Sequence, residues 1–262
     1  MKKAKSDYLI QSVSRALDIL EAFEIGQEEL GVTELSRKLK LHKNNVFRLL
    51  ATLETRGYVE QDRSTGNYRL GIRTFEVASV FLHHLGLVQQ ARGVLEQLSS
   101  DTGETAYLAN LDGPAVVCLD MVETRQAVRV VSQLGRRLPA HATALGKAQL
   151  AYRPREELDQ LWRRMDRDAA TPRAAQDVAR FAEELERVAT AEVAIEDEEL
   201  QPGVRGVAAP IRDYARRVVG ALGVSGPGSR LSLDRLEREV APRVKAAAQQ
   251  VSKRLGYALI PV

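Results

Sequence analysis

The sequence predicts an α+β protein with two parts: a small helical unit ending in a β-hairpin, and a larger unit built on an antiparallel sheet. In residues 12–56 the apolar residues recur at the period of a helix, and over residues 58–71 the period changes to two. Beyond residue 100, strand-like runs alternate with helical runs, which is typical of a sheet flanked by helices. With 262 residues, 44% of them hydrophobic, the chain can bury two modest cores.

The first helix is predicted over residues 12–23 from its apolar spacing. Ser12 or Ser14 is expected to cap its start, and Gly26 lies beyond its end as a stop signal. Its buried stripe is predicted to contain Val13, Ala16, Leu17, Leu20 and Phe23.

A second and a third helix are predicted on either side of a tight connection at residues 40–42. The second starts at Thr33 as its N-cap. The third runs from Lys43 to Arg56, stops at Gly57, and buries Val46, Leu49, Leu50 and Leu53. Its opposite face has no acidic residue and carries Asn44, Arg48, Ala51, Thr52 and Thr55, flanked by Asn45. Asn, Arg and Thr are residue types that read base edges in DNA.

A β-hairpin follows at residues 58–71, with Arg63 at its tip and Arg69 on its return strand. Residues 36–73 hold nine basic and three acidic residues, so this segment has a net charge of +6 within a chain of +3. Three short helices and a basic hairpin predict a winged helix-turn-helix that binds DNA. The alternative is that the same module docks a partner protein.

The connector and the second unit are predicted from similar patterns. Residues 72–85 form an apolar helical run, which Gly86 separates from an amphipathic helix; the run is either a core helix or a linker that packs against a partner chain. Strands are predicted at residues 105–111, 115–122, 127–134, 193–195, 205–211 and 218–225. Helices are predicted at residues 142–152, within 153–191, and at 233–255 with a break or bend at Pro242.

Composition and motifs exclude several classes of protein. The lone cysteine, Cys118, rules out an internal disulfide or a multi-cysteine zinc site, and suits a reducing cytoplasm. The sequence shows no signal peptide and no membrane span. His141, Thr143 and Lys147 are common catalytic types, but no carboxylate or nucleophile stands near them at a diagnostic spacing. We therefore expect no enzyme activity, no cofactor and no metal.

Several segments resemble the isocitrate-lyase-regulator (IclR-type) family of bacterial transcriptional regulators. The similar segments follow one another at the family's spacing along nearly the whole chain: residues 11–20, 48–59, 66–71, 139–148, 198–213 and 224–227. The resemblance implies a winged helix-turn-helix at residues 1–71, a linker helix at 72–90, and a GAF-like α/β domain at 91–262 that binds an effector and forms oligomers.

The resemblance also implies the partners and the effector-site positions, while the DNA contacts follow from the residue types on the predicted helices and hairpin. The expected partners are operator DNA, a small effector such as an organic acid or an aromatic metabolite, and one or three further copies of the chain. The expected DNA contacts are Arg15, Lys43, Asn44, Asn45, Arg48, Thr52, Arg63 and Arg69. The expected effector site contains Leu138, Ala144, Leu145, Glu196, Gly206, Gly223 and Ser225, with the backbone amides of Ala144 and Leu145 holding an anionic group.

Three positions differ from the pattern of family members that bind small 2-oxo acids. Gly206 and Gly223 replace polar Cys and Ser, and Glu196 replaces Asp. One hypothesis is that the effector is larger or less polar than a two- or three-carbon acid; the other is that both glycines serve strand packing. The Asn44–Asn45 pair also replaces the family's common Ser-Thr pair, which leaves the operator sequence open.

Overall fold

The structure is a computed structural model that describes residues 9–24, 27–131 and 134–257. Contacts within the chain divide it into two compact units, Met1–Leu85 and Gly86–Val262. The finer division into a DNA-binding domain, a linker and an effector domain stays a prediction. Among the described residues, no helix is long and apolar enough to cross a membrane.

The N-terminal unit contains the predicted helices and hairpin. Its elements are α1 (Gln11–Glu21), α2 (Val32–Lys38), α3 (Lys43–Thr55), β1 (Val59–Gln61), β2 (Tyr68–Leu70) and α4 (Ile72–Leu85). The two strands pair antiparallel, with Glu60 opposite Arg69. Gly57 takes a left-handed conformation after α3, as expected for a residue that ends a helix.

The buried side of α1 agrees with the predicted stripe at Ala16, Leu20 and Phe23, which pack against the core, but differs from it at two positions. Val13 and Leu17 are more than half exposed, whereas Ile19 is fully buried and packs with Leu35 and Leu50 in the core of this unit. The predicted serine cap is also wrong, because the N-cap is Ile10, without a side-chain hydrogen bond. Helix α2 likewise begins after Gly31 and not at Thr33. Gly26 lies outside the described residues.

The C-terminal unit is built on an antiparallel sheet. Its strands are β3 (Thr105–Asp112), β4 (Ala115–Val122), β5 (Arg137–Pro139), β6 (Ala194–Asp197), β7 (Val204–Arg212) and β8 (Val218–Pro227). Across the part of the chain that is described, they pair in the order β5-β4-β3-β8-β7-β6. The strands β5 and β6 therefore form the two edges of this sheet.

Helices cover both faces of the sheet. They are α5 (Leu87–Thr102), α6 (Ala144–Leu150), α7 (Arg155–Trp162), α8 (Val178–Ala191), α9 (Leu233–Arg235) and α10 (Ala241–Arg254). Ala221 of β8 packs in a cluster with Ala148 of α6, while Leu87 of α5 lies beside Gly220, the preceding residue of β8. Because neighbouring residues of a strand point to opposite faces, α5 and α6 lie on opposite faces of the sheet.

Two predicted elements of this unit are wrong in detail. Residues 127–131 are not in a strand, and the sheet edge is formed instead by β5, which pairs with β4. Residues 132 and 133 of the same predicted strand lie outside the described residues. The closing helix is interrupted by a π-helical turn at Leu236–Val240, so Pro242 stands in the first turn of α10 and causes no break inside it.

Candidate functional site

A polar surface on α1 and α3 brings together half of the residues predicted to contact DNA. Arg15, Asn45, Arg48 and Thr52 line one open concavity together with Gln11 and Ser12. The Thr52 hydroxyl donates to the carbonyl of Arg48 at 2.9 Å, so its methyl group is turned away from this bond. Sequence reasoning missed both: Gln11 lies outside the predicted helix, and Ser12 is considered there only as a helix cap.

The other predicted DNA contacts lie elsewhere on the same unit. Lys43 and Asn44 are exposed in the first turn of α3, where His42 accepts a hydrogen bond from the backbone amide of Asn44. Arg63 is exposed in the hairpin turn. Arg69 forms a 3.2 Å ion pair with Glu60 across the hairpin, so part of the hydrogen-bonding capacity of its guanidinium is used within the chain.

Phe47 is an outward-facing residue of α3 that the sequence reading did not assign. Its side chain is 55% exposed, and along the helix it stands one turn after Asn44 and directly before Arg48. The helical period places Phe47 about 100° from the buried Val46, so periodicity alone could have found it.

All seven predicted effector residues line one cavity of about 80 Å³ in the C-terminal unit. Every strand of the sheet contributes to its wall or rim, and the first turn of α6 closes one side. Most of the wall is apolar. The sequence reading did not assign three further lining residues that carry chemistry: Tyr107, Cys118 and Arg136.

The carboxyl group of Glu196 is buried in this cavity. Its Oε2 accepts a hydrogen bond from the backbone amide of Ala144 at 3.4 Å, while its Oε1 is buried with no hydrogen-bond partner among the described residues. Burial raises the pKa of Glu196 to about 7. The Ala144 amide, which we expect to hold an anionic ligand together with the Leu145 amide, donates to a protein carboxyl group in this structure, and the expectation stays a prediction.

A cluster of charged side chains lies behind the first turn of α6. Lys147 has no exposed surface, and its Nζ donates to Glu184 at 2.6 Å and to Glu199 at 2.5 Å. The two carboxylates raise the pKa of Lys147 and so keep it positively charged despite its burial. Glu199 is followed by Leu200 and Gln201, which line the cavity, so the cluster fixes part of the cavity wall.

Hydrogen bonds hold the segment between β4 and β5 over the cavity. The hydroxyl of Tyr107 donates to the carbonyl of Val130 at 2.8 Å. The backbone amide of Cys118 donates to the carbonyl of Arg136 at 3.2 Å. Val130 and Arg136 both line the cavity, so these bonds position two parts of its wall.

Gly206 and Gly223, the two glycines that depart from the family pattern, differ in how closely other backbone atoms approach them. A Cβ at Gly223 would overlap the backbone carbonyl of Val207, so this backbone has no room for a side chain there. A Cβ at Gly206 would lie 3.6 Å from Glu196 Oε2 and 3.2 Å from the carbonyl of Val224, a tight contact. Close packing against the neighbouring strand therefore explains why position 223 is a glycine, and it explains the glycine at position 206 less strongly.

His141 and Thr143, which were considered as catalytic types, take part in core packing and in helix capping. His141 is buried and packs edge-on against Trp162 and Phe181, with ring centroids 5.8 and 6.5 Å away. Burial lowers its pKa, which favours the neutral ring. The hydroxyl of Thr143 accepts a hydrogen bond from the amide of Gly146 and thereby caps α6.

Comparison with known proteins places both units in one family. Residues 12–63 match the family model described as the IclR helix-turn-helix domain, and residues 79–253 match the model described as bacterial transcriptional regulator IclR C-terminal. The chain is 34% identical to the HTH-type transcriptional regulator XynR of Escherichia coli over 249 residues, covering 95% of this chain and 98% of XynR. It is 31% identical to the transcriptional repressor IclR of the same organism, covering 92% and 88% of the two chains.

A solved structure shares the fold along nearly the whole chain. It is an IclR homolog from Microbacterium hydrocarbonoxydans, complexed with 4-hydroxybenzoate, with a TM-score of 0.83. The superposition covers 93% of this chain and 98% of that one. At 22% identity, the similarity is one of fold.

Proposed function

The chain belongs to the IclR family of bacterial transcriptional regulators, and on this premise we propose that it represses transcription from an operator and responds to a small molecule bound in its C-terminal unit. The helix α3 enters the major groove, with Asn44, Asn45, Arg48 and Thr52 at base edges or neighbouring phosphates. Lys43, Arg63 and Arg69 contact phosphates, and Arg15 contacts the backbone from α1.

The observation that carries this proposal is the shared surface of α1 and α3. One open concavity is lined by Arg15 of α1 and by three residues on successive turns of α3: Asn45, Arg48 and Thr52. Among the residues that the structure describes, no acidic residue lines it. A polar surface with two arginines, on the helix that follows the turn of a helix-turn-helix, suits the negative charge and the base edges of DNA.

An oligomer would present two such surfaces to an operator with two half-sites. Apolar side chains exposed on α1 and α4 support this part of the proposal, among them Val13, Leu17, Ile72 and Phe75. A second copy of the chain, in a dimer or a dimer of dimers, would bury them. Effector binding then changes the affinity for DNA by a coupling free energy between the two sites.

The test is the Arg48→Ala variant, assayed on DNA that the wild-type protein selects from a random library. Losing a base contact should cost about 1–3 kcal/mol in binding to the selected sequence at fixed salt, and much less on random DNA. Arg238→Ala, which changes an exposed arginine of the C-terminal unit, is the control and should leave both affinities unchanged. Unchanged affinity of Arg48→Ala would contradict the assignment, and failure of the wild type to bind any DNA at low salt would favour the protein-docking alternative.

A further inference from the structure

The helix α3 exposes a bulky apolar side chain beside its polar residues. Val46, Leu50 and Leu53 of this helix are buried in the core of the N-terminal unit. Phe47 lies outside this core, with more than half of its side chain exposed. Because single exposed apolar side chains are common on protein surfaces, the meaning of this one depends on where it stands.

Phe47 stands among the residues of α3 that are proposed to contact DNA. It is the fifth of the 13 residues of this helix, which begins at Lys43. Lys43 and Asn44 are exposed one turn before it, and the exposed Arg48 follows directly. In a helix-turn-helix, the N-terminal residues of the recognition helix are the ones that contact base edges. The position of Phe47 along α3 is therefore one from which a side chain can reach a base.

Phe47 lies on a different side of α3 from the polar concavity shared with α1. At 3.6 residues per turn, it is about 160° around the helix from Asn45 and about 140° from Thr52, which line that concavity. The half-buried Ala51 stands one turn after Phe47 and about 40° from it. Phe47 and Ala51 therefore form a short apolar strip, which reads a different kind of chemical group from the polar side chains on the other flank.

A phenyl ring can distinguish bases in the major groove only through an apolar group. The major-groove edge of thymine carries a C5-methyl group, which the other three bases lack, and apolar side chains such as those of Phe and Ala contact it. Insertion of a phenyl ring between base pairs is a different device, which belongs to proteins that bind and kink DNA from the minor groove. Since an α-helix fits the major groove, the methyl contact is the one that suits Phe47.

We propose that Phe47 is a specificity-determining residue, which packs against the C5-methyl group of a thymine in the operator half-site. This inference rests on the proposed DNA binding and identifies one base of the sequence that the protein reads. Asn44 and Arg48 contact the polar edges of neighbouring bases or phosphates, while the ring of Phe47 removes the methyl group from water. A cytosine at the same position has no methyl group and is bound less tightly.

The test is a thermodynamic cycle that removes the methyl group and the phenyl ring separately and together. The wild-type protein first selects its preferred DNA from a random library. Each thymine of the selected sequence is then replaced in turn by deoxyuridine, which lacks the methyl group and keeps the same hydrogen-bonding atoms. Fluorescence anisotropy at fixed salt measures each affinity. We expect one of these replacements to weaken binding by the wild type about fourfold, the value of one buried methyl group.

The variants of Phe47 complete the cycle. Phe47→Ala should bind the thymine-containing DNA about fourfold or more weakly than the wild type, and the same deoxyuridine replacement should weaken it no further. Phe47→Leu keeps an apolar side chain and should retain part of the deoxyuridine effect. The matched control is Tyr214→Ala, which removes an exposed aromatic side chain of the C-terminal unit and should change neither the affinity nor the deoxyuridine effect. Because Phe47 lies outside the core, its variants should keep the melting temperature of the wild type.

Two outcomes overturn this inference while DNA binding stands. One is a wild-type protein whose affinity is unchanged by every deoxyuridine replacement. The other is a replacement that weakens Phe47→Ala as much as it weakens the wild type, which would assign the ring to another contact, such as one with a partner protein. If the wild type selects no DNA at low salt, the proposed function itself fails, and this inference fails with it.

Discussion

At the scale of single residues, Glu196 links the stability of the C-terminal unit to pH. In an unfolded chain its carboxyl group would titrate near 4.5, and in the folded chain its pKa is about 7. The folded state therefore binds more protons between these two values, so this residue makes the protein less stable as pH rises through the interval. Lys147, which attracts its charge, and Glu199, which opposes it, are the charged neighbours.

The Glu196→Gln variant should lose this pH dependence. Between pH 5.5 and pH 8, the free energy of unfolding of the wild type should fall by about 2 kcal/mol more than that of the variant, because only the wild type must ionise a buried acid. Urea unfolding at both pH values measures the difference. Glu186→Gln on the exposed side of α8 should behave like the wild type, and an equal pH dependence in wild type and Glu196→Gln would contradict the assigned shift.

Sequence resemblance could name Glu196 but not its surroundings. The pairing of Lys147 with Glu184 and Glu199 joins residues 37 and 52 positions apart, which no local pattern reveals. The occupation of the Ala144 amide by Glu196 depends on the same long-range packing. The type of residue at a site can thus be read from the sequence, but its hydrogen-bond partners can be identified only from the folded structure.

At the scale of elements, α6 depends on a close approach between backbones. Gly146, in the first turn of α6, lies against Ala140 in the turn that precedes the helix. A Cβ at this position would overlap the backbone of Ala140, which no side-chain movement can relieve. The glycine therefore sets the distance between the end of β5 and α6, and with it one side of the cavity.

Two alanine substitutions in helices should have opposite effects. Gly146→Ala should lower the free energy of unfolding by about 1–3 kcal/mol or more, because the added methyl group overpacks against backbone. Gly93→Ala in α5, where no atom lies within 4 Å of the added methyl group, should raise it by about 0.5–1 kcal/mol through helix propensity. Chemical denaturation measures both, and a stabilising Gly146→Ala would contradict the close approach.

The errors in predicting these elements have a common cause: apolar residues on more than one face, or outside any regular element. Val128, Val130 and Val131 are β-branched and suggested a strand, but residues 127–131 form no strand, and Val130 and Val131 line the cavity instead. In α1, apolar residues stand on more than one face, and spacing alone selected Val13 and Leu17 where the core takes Ile19. Helix α3 and the hairpin were predicted well, because each has one apolar side and a clear glycine boundary.

At the scale of the whole molecule, charge is unevenly distributed along the chain. The segment 36–73 carries +6, while the remainder of the chain sums to −3. Lys43 and Arg63 are exposed in this segment, so its charge is accessible to a polyanion. The near-neutral total therefore hides a basic segment within the N-terminal unit, and DNA binding by this segment should depend on salt concentration.

Lys43→Ala should weaken binding to all DNA sequences to a similar extent. It removes one expected phosphate contact, so the slope of log affinity against log salt concentration should fall by about one. Fluorescence anisotropy across a salt series, with selected and random DNA, measures both effects. Lys253→Ala, an exposed lysine of α10, should leave the slope unchanged; an unchanged slope for Lys43→Ala would remove Lys43 from the phosphate contacts.

The cavity wall contains many small residues, and this has a consequence for how the protein can diversify. Ala109, Cys118, Ala144, Gly206 and Ser225 all line the cavity, and they come from different strands and from α6. At Gly206 an added side chain would crowd the carbonyl of Val224, but a single enlarged side chain at one of the others would reshape the space for a ligand while the backbone pairing of the sheet stayed in place. The same fold can therefore come to bind a different ligand in small mutational steps, without any change in the N-terminal unit.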